Sequence, residues 1–202
     1  PLADARSAPL ATSPAVGAHD LKVMTFNLRV ATIFDLWNTW DIRKGQVLDH
    51  IRKFNPDMLG TQEGLNGMEK FLRAQLSDYT FYGVGRTDGT PSGEMVGVFY
   101  KTDKFDRIDG GNFWLSPNPQ HVGSRGWGEW FPRMVTWVEL RPRDGGQPFC
   151  WFNTHFAAFA SHARTESARL LQTEISNIAG NMPCIVTGDF NANADPQTAG
   201  YA

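Results

Sequence analysis

The stretch Thr187–Asp195, TGDFNANAD, follows the apolar run Met182-Pro183-Cys184-Ile185-Val186. The run has the length and composition of a buried strand, so Asp189 and Asn191 come at its C-terminal end. Gly-Asp-x-Asn is also a common turn composition, and alone it decides little. Its weight comes from recurrence along the chain. LKVMTFNLRV (21–30) carries Asn27 towards its end, DMLGTQE (57–63) closes on Glu63, and FCWFNTH (149–155) closes on His155. Each is an apolar run that delivers one polar side chain to its end. Runs apolar on both faces need cover on both sides. A core that supplies it would gather these polar residues along one edge.

The remaining pattern says what that core is. EMVGVFYK (94–101) and MVTWVEL (134–140) read as two more strands. DIRKGQVLDHIRKFNPD (41–57) has a roughly helical stripe of Ile42, Val47, Leu48, Ile51 and Phe54, stopped by Asn55-Pro56. GLNGMEKFLRAQLSDY (64–79) places Leu65, Met68, Leu72 and Leu76 on one helical face. ARTESARLLQTEISNIAG (163–180) turns Leu171, Ile175 and Ile178 inward, with Gly180 as C-cap. Two packed sheets with outer helices fit this order. A doubly wound sheet fits less well, because the strands around 96–155 are joined by loops rather than helices.

At 202 residues the chain can bury a sizeable core, and 41% hydrophobic with 20% charged residues is the balance of a folded globular domain. A net charge of −2 removes the general pull towards nucleic acid or membrane that a basic chain has. No apolar run is long enough to span a bilayer. Residues 1–20, PLADARSAPLATSPAVGAHD, lack periodicity and are expected to form a flexible extension. They also lack the charged start and apolar middle of an intact signal peptide. The remnant of a cleaved one would place the protein in a secreted or periplasmic setting, and a linker remnant fits equally. Cys150 and Cys184 lie on two candidate strands, either bridged or as small buried hydrophobes.

Carboxylates and carboxamides are hard oxygen ligands suited to Mg²⁺, Mn²⁺ or Ca²⁺, not to a structural zinc. An imidazole beside such an ion can stabilise charge developing on a phosphate, and an aspartate can orient or deprotonate water. Together they point to metal-assisted phosphoester hydrolysis. No Gly-rich nucleotide loop or Gly-x-Ser-x-Gly elbow is present. The loop 112–133 holds Phe113, Trp114, Trp127, Trp130 and Phe131 with Arg125 and Arg133. It is either a substrate wall, with Trp127 stacking and Arg133 gripping a phosphate, or a self-packed cover for a sheet. Arg164 and His162, at the start of the third helix, either face the site or form a solvated helix end.

TFNLR, TQE, GEMVGVFYK, NTHF and GDFNANADP, in this order, resemble the endonuclease/exonuclease/phosphatase superfamily, the pancreatic-deoxyribonuclease-like fold. The likeness runs over about residues 20–202, and FWLSPNP with GWGEWFPRMVTW resembles a bacterial, often secreted branch. It implies an α/β fold, a four-layered α/β/β/α sandwich with two packed mixed sheets. By motif, Glu63 matches the main metal ligand and Asn27 the asparagine that supports the metal site. His155 matches a histidine contacting the scissile phosphate, and Glu94 the acid that orients it. Asp189 and Asn191 match the pair that positions water and binds phosphate. The implied cofactor is Mg²⁺ or Mn²⁺. The family pattern closes on a Ser-Asp-His-like motif that this sequence does not contain, so the domain is expected to be incomplete at its C-terminus, with a C-terminal fragment as a potential partner. The activity expected first is a phosphodiesterase or nuclease on nucleic acid or nucleotides. The alternatives are a small-molecule phosphatase, a phospholipid phosphodiesterase, or a non-catalytic binding module.

Overall fold

The computed structural model describes residues 20–192. The expected extension, apart from Asp20, and Asn193–Asp195 of the TGDFNANAD stretch lie outside the described residues. One sheet contains β1 (Val23–Asn27), β2 (Met58–Gly64), β3 (Tyr79–Tyr82) and β4 (Met95–Lys101), in the order β1-β2-β4-β3. The other contains β5 (Phe105–Trp114), β6 (Met134–Pro142), β7 (Phe149–His155) and β8 (Cys184–Asp189), in sequence order. Helices α1 (Trp40–Phe54) and α2 (Asn66–Gln75) cover the first sheet, packing Val47, Leu48, Ile51, Met68 and Leu72 on Leu59 and Phe99. Helix α3 (Ser161–Ala179) covers the second through Leu171 and Ala179, against Phe113, Val135 and Phe152. Between the sheets lie Met58, Val98, Tyr100, Val138, Leu140, Phe149 and Trp151. The result is the four-layered α/β/β/α sandwich, with both sheets mixed.

Strand direction puts the polar ends together. β1 runs parallel to β2 and β7 parallel to β8, so Asn27 lies opposite Gln62, and His155 opposite Asp189. β4 and β6 are antiparallel to these neighbours and begin, at Met95 and Met134, on the same edge. β1 and β8 meet across the sandwich.

Three expectations change. β3 and β5 were not legible as strands, the first being four residues long and the second interrupted by Asp106, Arg107 and Asp109. β8 is not a buried strand. It pairs with β7 on one side only and is an edge strand of its sheet among the described residues, with Val186 37% exposed and Cys184 exposed. Cys150 and Cys184 face each other in register, yet both are free thiols, and burial pushes the Cys150 thiol up to about 11.

A buried polar clamp crosses the sandwich beneath the edge. Asn153 on β7 has no exposed surface. Its Nδ2 donates to the carbonyls of Thr61 (2.9 Å) and Gly97 (2.8 Å) in the first sheet. Its Oδ1 accepts from Gln62 Nε2 (2.9 Å) and Thr187 Oγ1 (3.0 Å). Gly60 makes room for it: a Cβ there would come within 2.6 Å of Asn153 Oδ1.

Candidate active site

Each polar residue at the edge is held by its own local structure. Asn27 caps β1 with its Oδ1 accepting the Arg29 amide (2.8 Å), which turns the chain out of the sheet. Arg43, a buried arginine of α1, then clamps that turn by donating to the carbonyls of Leu28, Arg29 and Asn38. Glu63 lies within a register shift of the β2–β4 pairing, between Thr61 and Gly64, and sits in left-handed backbone at φ 60°. Asn191 also adopts a positive φ, 48°, just past β8.

These turns bring the side chains into one network. Asn27 Nδ2 donates to Glu63 Oε1 and to Asp189 Oδ2, each at 2.9 Å, and so bridges the two sheets. Glu63 Oε2 accepts the Val30 amide at 2.7 Å. Asp189 Oδ1 accepts the Asn191 amide at 3.0 Å. His155 Nε2 lies 3.9 Å from both Glu63 Oε1 and Asp189 Oδ2. Asn191 Nδ2 lies 3.1 Å from His155 Nε2 and donates to the Phe156 carbonyl at 3.1 Å. A carbonyl can only accept, so this second bond fixes the Asn191 amide with its NH₂ towards the histidine. His155 Nε2 therefore accepts, and its proton sits on Nδ1. Burial, reinforced by the Arg133 guanidinium, pulls the imidazole down to about 4, so it is neutral at pH 7.

A shallow cleft opens beside this network. Glu63 and His155 form one part of its wall; Arg86, Glu94, Pro132 and Arg133 form the rest, over a floor of Met95, Val96 and Met134. The expected pairing of Glu94 with His155 is not made. Glu94 Oε1 instead accepts from Arg86 Nη2 at 2.6 Å, because the turn between β3 and β4 places the two side by side, with the Arg86 amide bonded to the Glu94 carbonyl. Trp114 Nε1 donates to the Arg86 carbonyl (2.6 Å) and ties this turn to the second sheet.

Arg133 lines the cleft and is 8% exposed. Trp127 and Arg164 do not line it. Trp127 packs on the Phe113–Phe152 cluster and so covers the sheet, while Trp130 and Phe131 are the exposed aromatics of its loop. Arg164 donates to the carbonyls of Ala157 and Ala158, both at 3.1 Å, and braces the loop behind His155.

Arg86, Asn153 and Arg43 were not anticipated. Asn153 had a signal, an amide inside a strand apolar on both faces. Arg86 had none, since it lies in a turn-rich stretch without periodicity.

No group of three or more His, Cys, Asp or Glu among the described residues is arranged to hold a metal ion. The oxygens present are two carboxylates, Glu63 and Asp189, joined by one carboxamide. Their partly exposed side chains, 22% and 33%, leave room for solvent. That donor set fits Mg²⁺ or Mn²⁺, which bind through one or two carboxylates and keep several waters.

Residues 24–200 match the model of the family described as Endonuclease/Exonuclease/phosphatase family. An endonuclease/exonuclease/phosphatase from Bacteroides vulgatus superposes with a TM-score of 0.84 at 39% identity, over 87% of this chain and 67% of that one. A mannosyl-6-phosphatase from Bacteroides thetaiotaomicron superposes with a TM-score of 0.84 at 36% identity, over 90% and 70%. Nocturnin of Drosophila melanogaster is 27% identical over 169 residues, which are 76% of this chain and 24% of that protein. The chain thus spans about two thirds of the solved relatives and about a quarter of the curated one. No helix among the described residues is long and apolar enough to cross a membrane.

Proposed function

The chain belongs to the endonuclease/exonuclease/phosphatase family, and from that premise we propose that its site hydrolyses phosphoesters with the help of Mg²⁺ or Mn²⁺. One observation carries the reading: a single carboxamide, Asn27, joins Glu63 and Asp189 across the two sheets, with the His155 Nε2 lone pair 3.9 Å from both carboxylates. Glu63, with Asn27 in support, is the residue to hold the ion. The ion supplies Lewis-acid polarisation of the phosphoryl oxygen.

The protein's own residues do the rest. Asp189 orients a water whose oxygen bonds to phosphorus, and it takes up the proton that water loses. The ester P–O bond breaks, and the leaving alkoxide ends as an alcohol by gaining a proton, so the net change is ester plus water to alcohol plus phosphate. His155 Nε2, a lone pair at rest, takes a proton before it can donate to the phosphoryl oxygens as charge builds on them, and Asn191 holds that nitrogen in place. Their preorganisation comes from the strand ends, which hold them before substrate arrives.

The small-ester class is preferred over nucleic acid. A net charge of −2 does not favour binding a polyanion, and a relative at 36% identity is a mannosyl-6-phosphatase. Turnover of a phosphoester panel, with Mg²⁺, with Mn²⁺ and after chelation, tests the reading. Activity should vanish on chelation and return with either ion. Glu63→Gln should raise the metal concentration needed for half-activity by about 10–100-fold. Asp189→Asn should lower kcat by about 10²–10³ with a small change in KM. Metal-independent turnover, or a near-normal kcat in Asp189→Asn, would remove the reading.

A further inference from the structure

Cys150 and Cys184 are direct partners in the parallel β7–β8 pairing, and the Cys150 amide donates to the Pro183 carbonyl at 2.9 Å. Their surroundings fix which way they point. Cys150 belongs to the apolar cluster under α3, whereas Ile185, next to Cys184, packs against the core between the sheets. Side chains alternate along a strand, and directly paired residues share a face. Both thiols therefore lie on the α3 face of the second sheet. Burial, then the negative charges of Glu139 on β6, Cys184 on β8 and Asp109 on β5, pushes the Cys150 thiol up, so the two sulfurs are within electrostatic reach of each other. From α3 the cluster receives apolar side chains, Leu171 and Ala179 among them. The pair is asymmetric: Cys150 has no exposed surface, and Cys184 is exposed.

We propose that Cys150 and Cys184 are an oxidation site, at which a low-molecular-weight disulfide installs a reversible cross-strand bridge that pins β8 to β7. The accessible Cys184 reacts first. Its thiolate attacks one sulfur of the oxidant, a new S–S bond forms as the old one breaks, and one thiolate leaves. Cys150 then loses its proton, and its sulfur attacks Cys184 Sγ and expels the second thiolate to the solvent side. Two protein thiols are oxidised, one small disulfide is reduced, and the two departing thiolates take up the two protons. Neighbouring strands lie about 4.8 Å apart, within the roughly 4.4–6.8 Å that a disulfide spans between Cα atoms. Its Cβ atoms need to be about 3.8 Å apart, so the strands must draw together by roughly 1 Å. β8 can yield because, among the described residues, no strand pairs with its other side. A bridge formed in this way is strained, and strained bridges are the readily reduced ones. β8 delivers Asp189 to the site and Asn191 follows it, so the bridge fastens the root of the strand whose tip bears the chemistry. The thiol chemistry itself does not depend on the hydrolytic reading.

The test treats the reduced full chain and Cys184→Ser with oxidised glutathione under native conditions at pH 7, 8 and 9. Peptide mass mapping of the wild type should find glutathione first on Cys184, then a Cys150–Cys184 bridge within the monomer, with the glutathione released. The second step needs the Cys150 thiolate, and that thiol sits at about 11. Followed from the isolated mixed disulfide, its rate should therefore rise by about tenfold per pH unit over this range. An excess of reduced glutathione should reopen the bridge. In Cys184→Ser, Cys150 should stay unmodified until the chain is denatured. Amide exchange in the peptide covering 184–189 should be slower in the bridged form by at least about tenfold, because the strand root can no longer open freely. A reaction that stops at glutathione on Cys184, or that joins two chains through Cys184, would overturn the proposal. So would a bridge that leaves exchange in 184–189 unchanged, or one that excess reduced glutathione does not open.

Discussion

Glu63 holds its position at the cost of left-handed backbone, which a residue with a Cβ adopts only when its surroundings impose it. Its two carboxylate oxygens are held by Asn27 Nδ2 and the Val30 amide, and the next residue is tightly packed. Gly64 sits directly over the Glu69 side chain of α2, and a Cβ at 64 would come within 2.0 Å of Glu69 Oε1. Glu69 is 2% exposed, accepts a hydrogen bond from Thr61 Oγ1 at 3.0 Å, and has no partner for Oε2. Burial pushes its carboxyl up to about 7 from an ordinary 4.5. The folded state therefore holds a proton that the unfolded state gives up. The stability this carboxyl supports is full below about 4.5 and is lost as pH rises through about 7, on the order of 3 kcal/mol in all. His155 acts in the opposite sense: its contribution is present above its ordinary 6.5 and is lost as pH falls towards about 4. Glu69→Gln removes the first effect and leaves the second. Urea denaturation from pH 5 to 8 should show the variant gaining on the wild type as pH rises. Parallel curves would mean that Glu69 stays ionised in the fold.

At the scale of elements, the clamp through Asn153 joins β7 to β2, β4 and β8. Asn153→Leu keeps the volume but leaves the carbonyls of Thr61 and Gly97 and the Gln62 amide without this partner. A buried polar group left unmatched costs about 1–3 kcal/mol, so the variant should lose on the order of 4 kcal/mol in urea denaturation. A loss under about 1 kcal/mol would show that the groups find other partners. The elements also show what a sequence can reveal. β2, β4 and β7 were legible because both of their faces are apolar, and the residues that end β1, β2, β7 and β8 were legible because a polar group after such a run is conspicuous. β5 was not, since its exposed residues hide the alternation. β8 was read as buried because an apolar run does not reveal how many neighbours its strand has. Trp127, Arg164 and Glu94 were recognisable as residue types suited to a site, but their directions are set by tertiary packing. Trp127 turns to the sheet, Arg164 to the carbonyls of Ala157 and Ala158, and Glu94 to Arg86.

Across the whole molecule, the site belongs to neither sheet. Asn27 and Glu63 come from the first, and His155, Asp189 and Asn191 come from the end of the second. The joining strands, β1 and β8, lie at the sheet edges among the described residues. Each is hydrogen-bonded in its sheet on one side only, so both should exchange amide hydrogens faster than β2, β4, β6 and β7. Their terminal side chains meet through Asn27 Nδ2 and Asp189 Oδ2. A ligand seated between the sheets should therefore slow exchange in both edges together, by up to about 100-fold at 100 times its dissociation constant. The measurement is hydrogen exchange of the full chain with and without Mn²⁺ and inorganic phosphate, followed in peptides covering 23–27 and 184–189. In Asn27→Ala the slowing should persist in at most one edge, because the link across the sandwich is gone. Protection of one edge in the wild type, with the other unchanged, would mean that the ligand sits on a single sheet and that the composite site is not the one it uses.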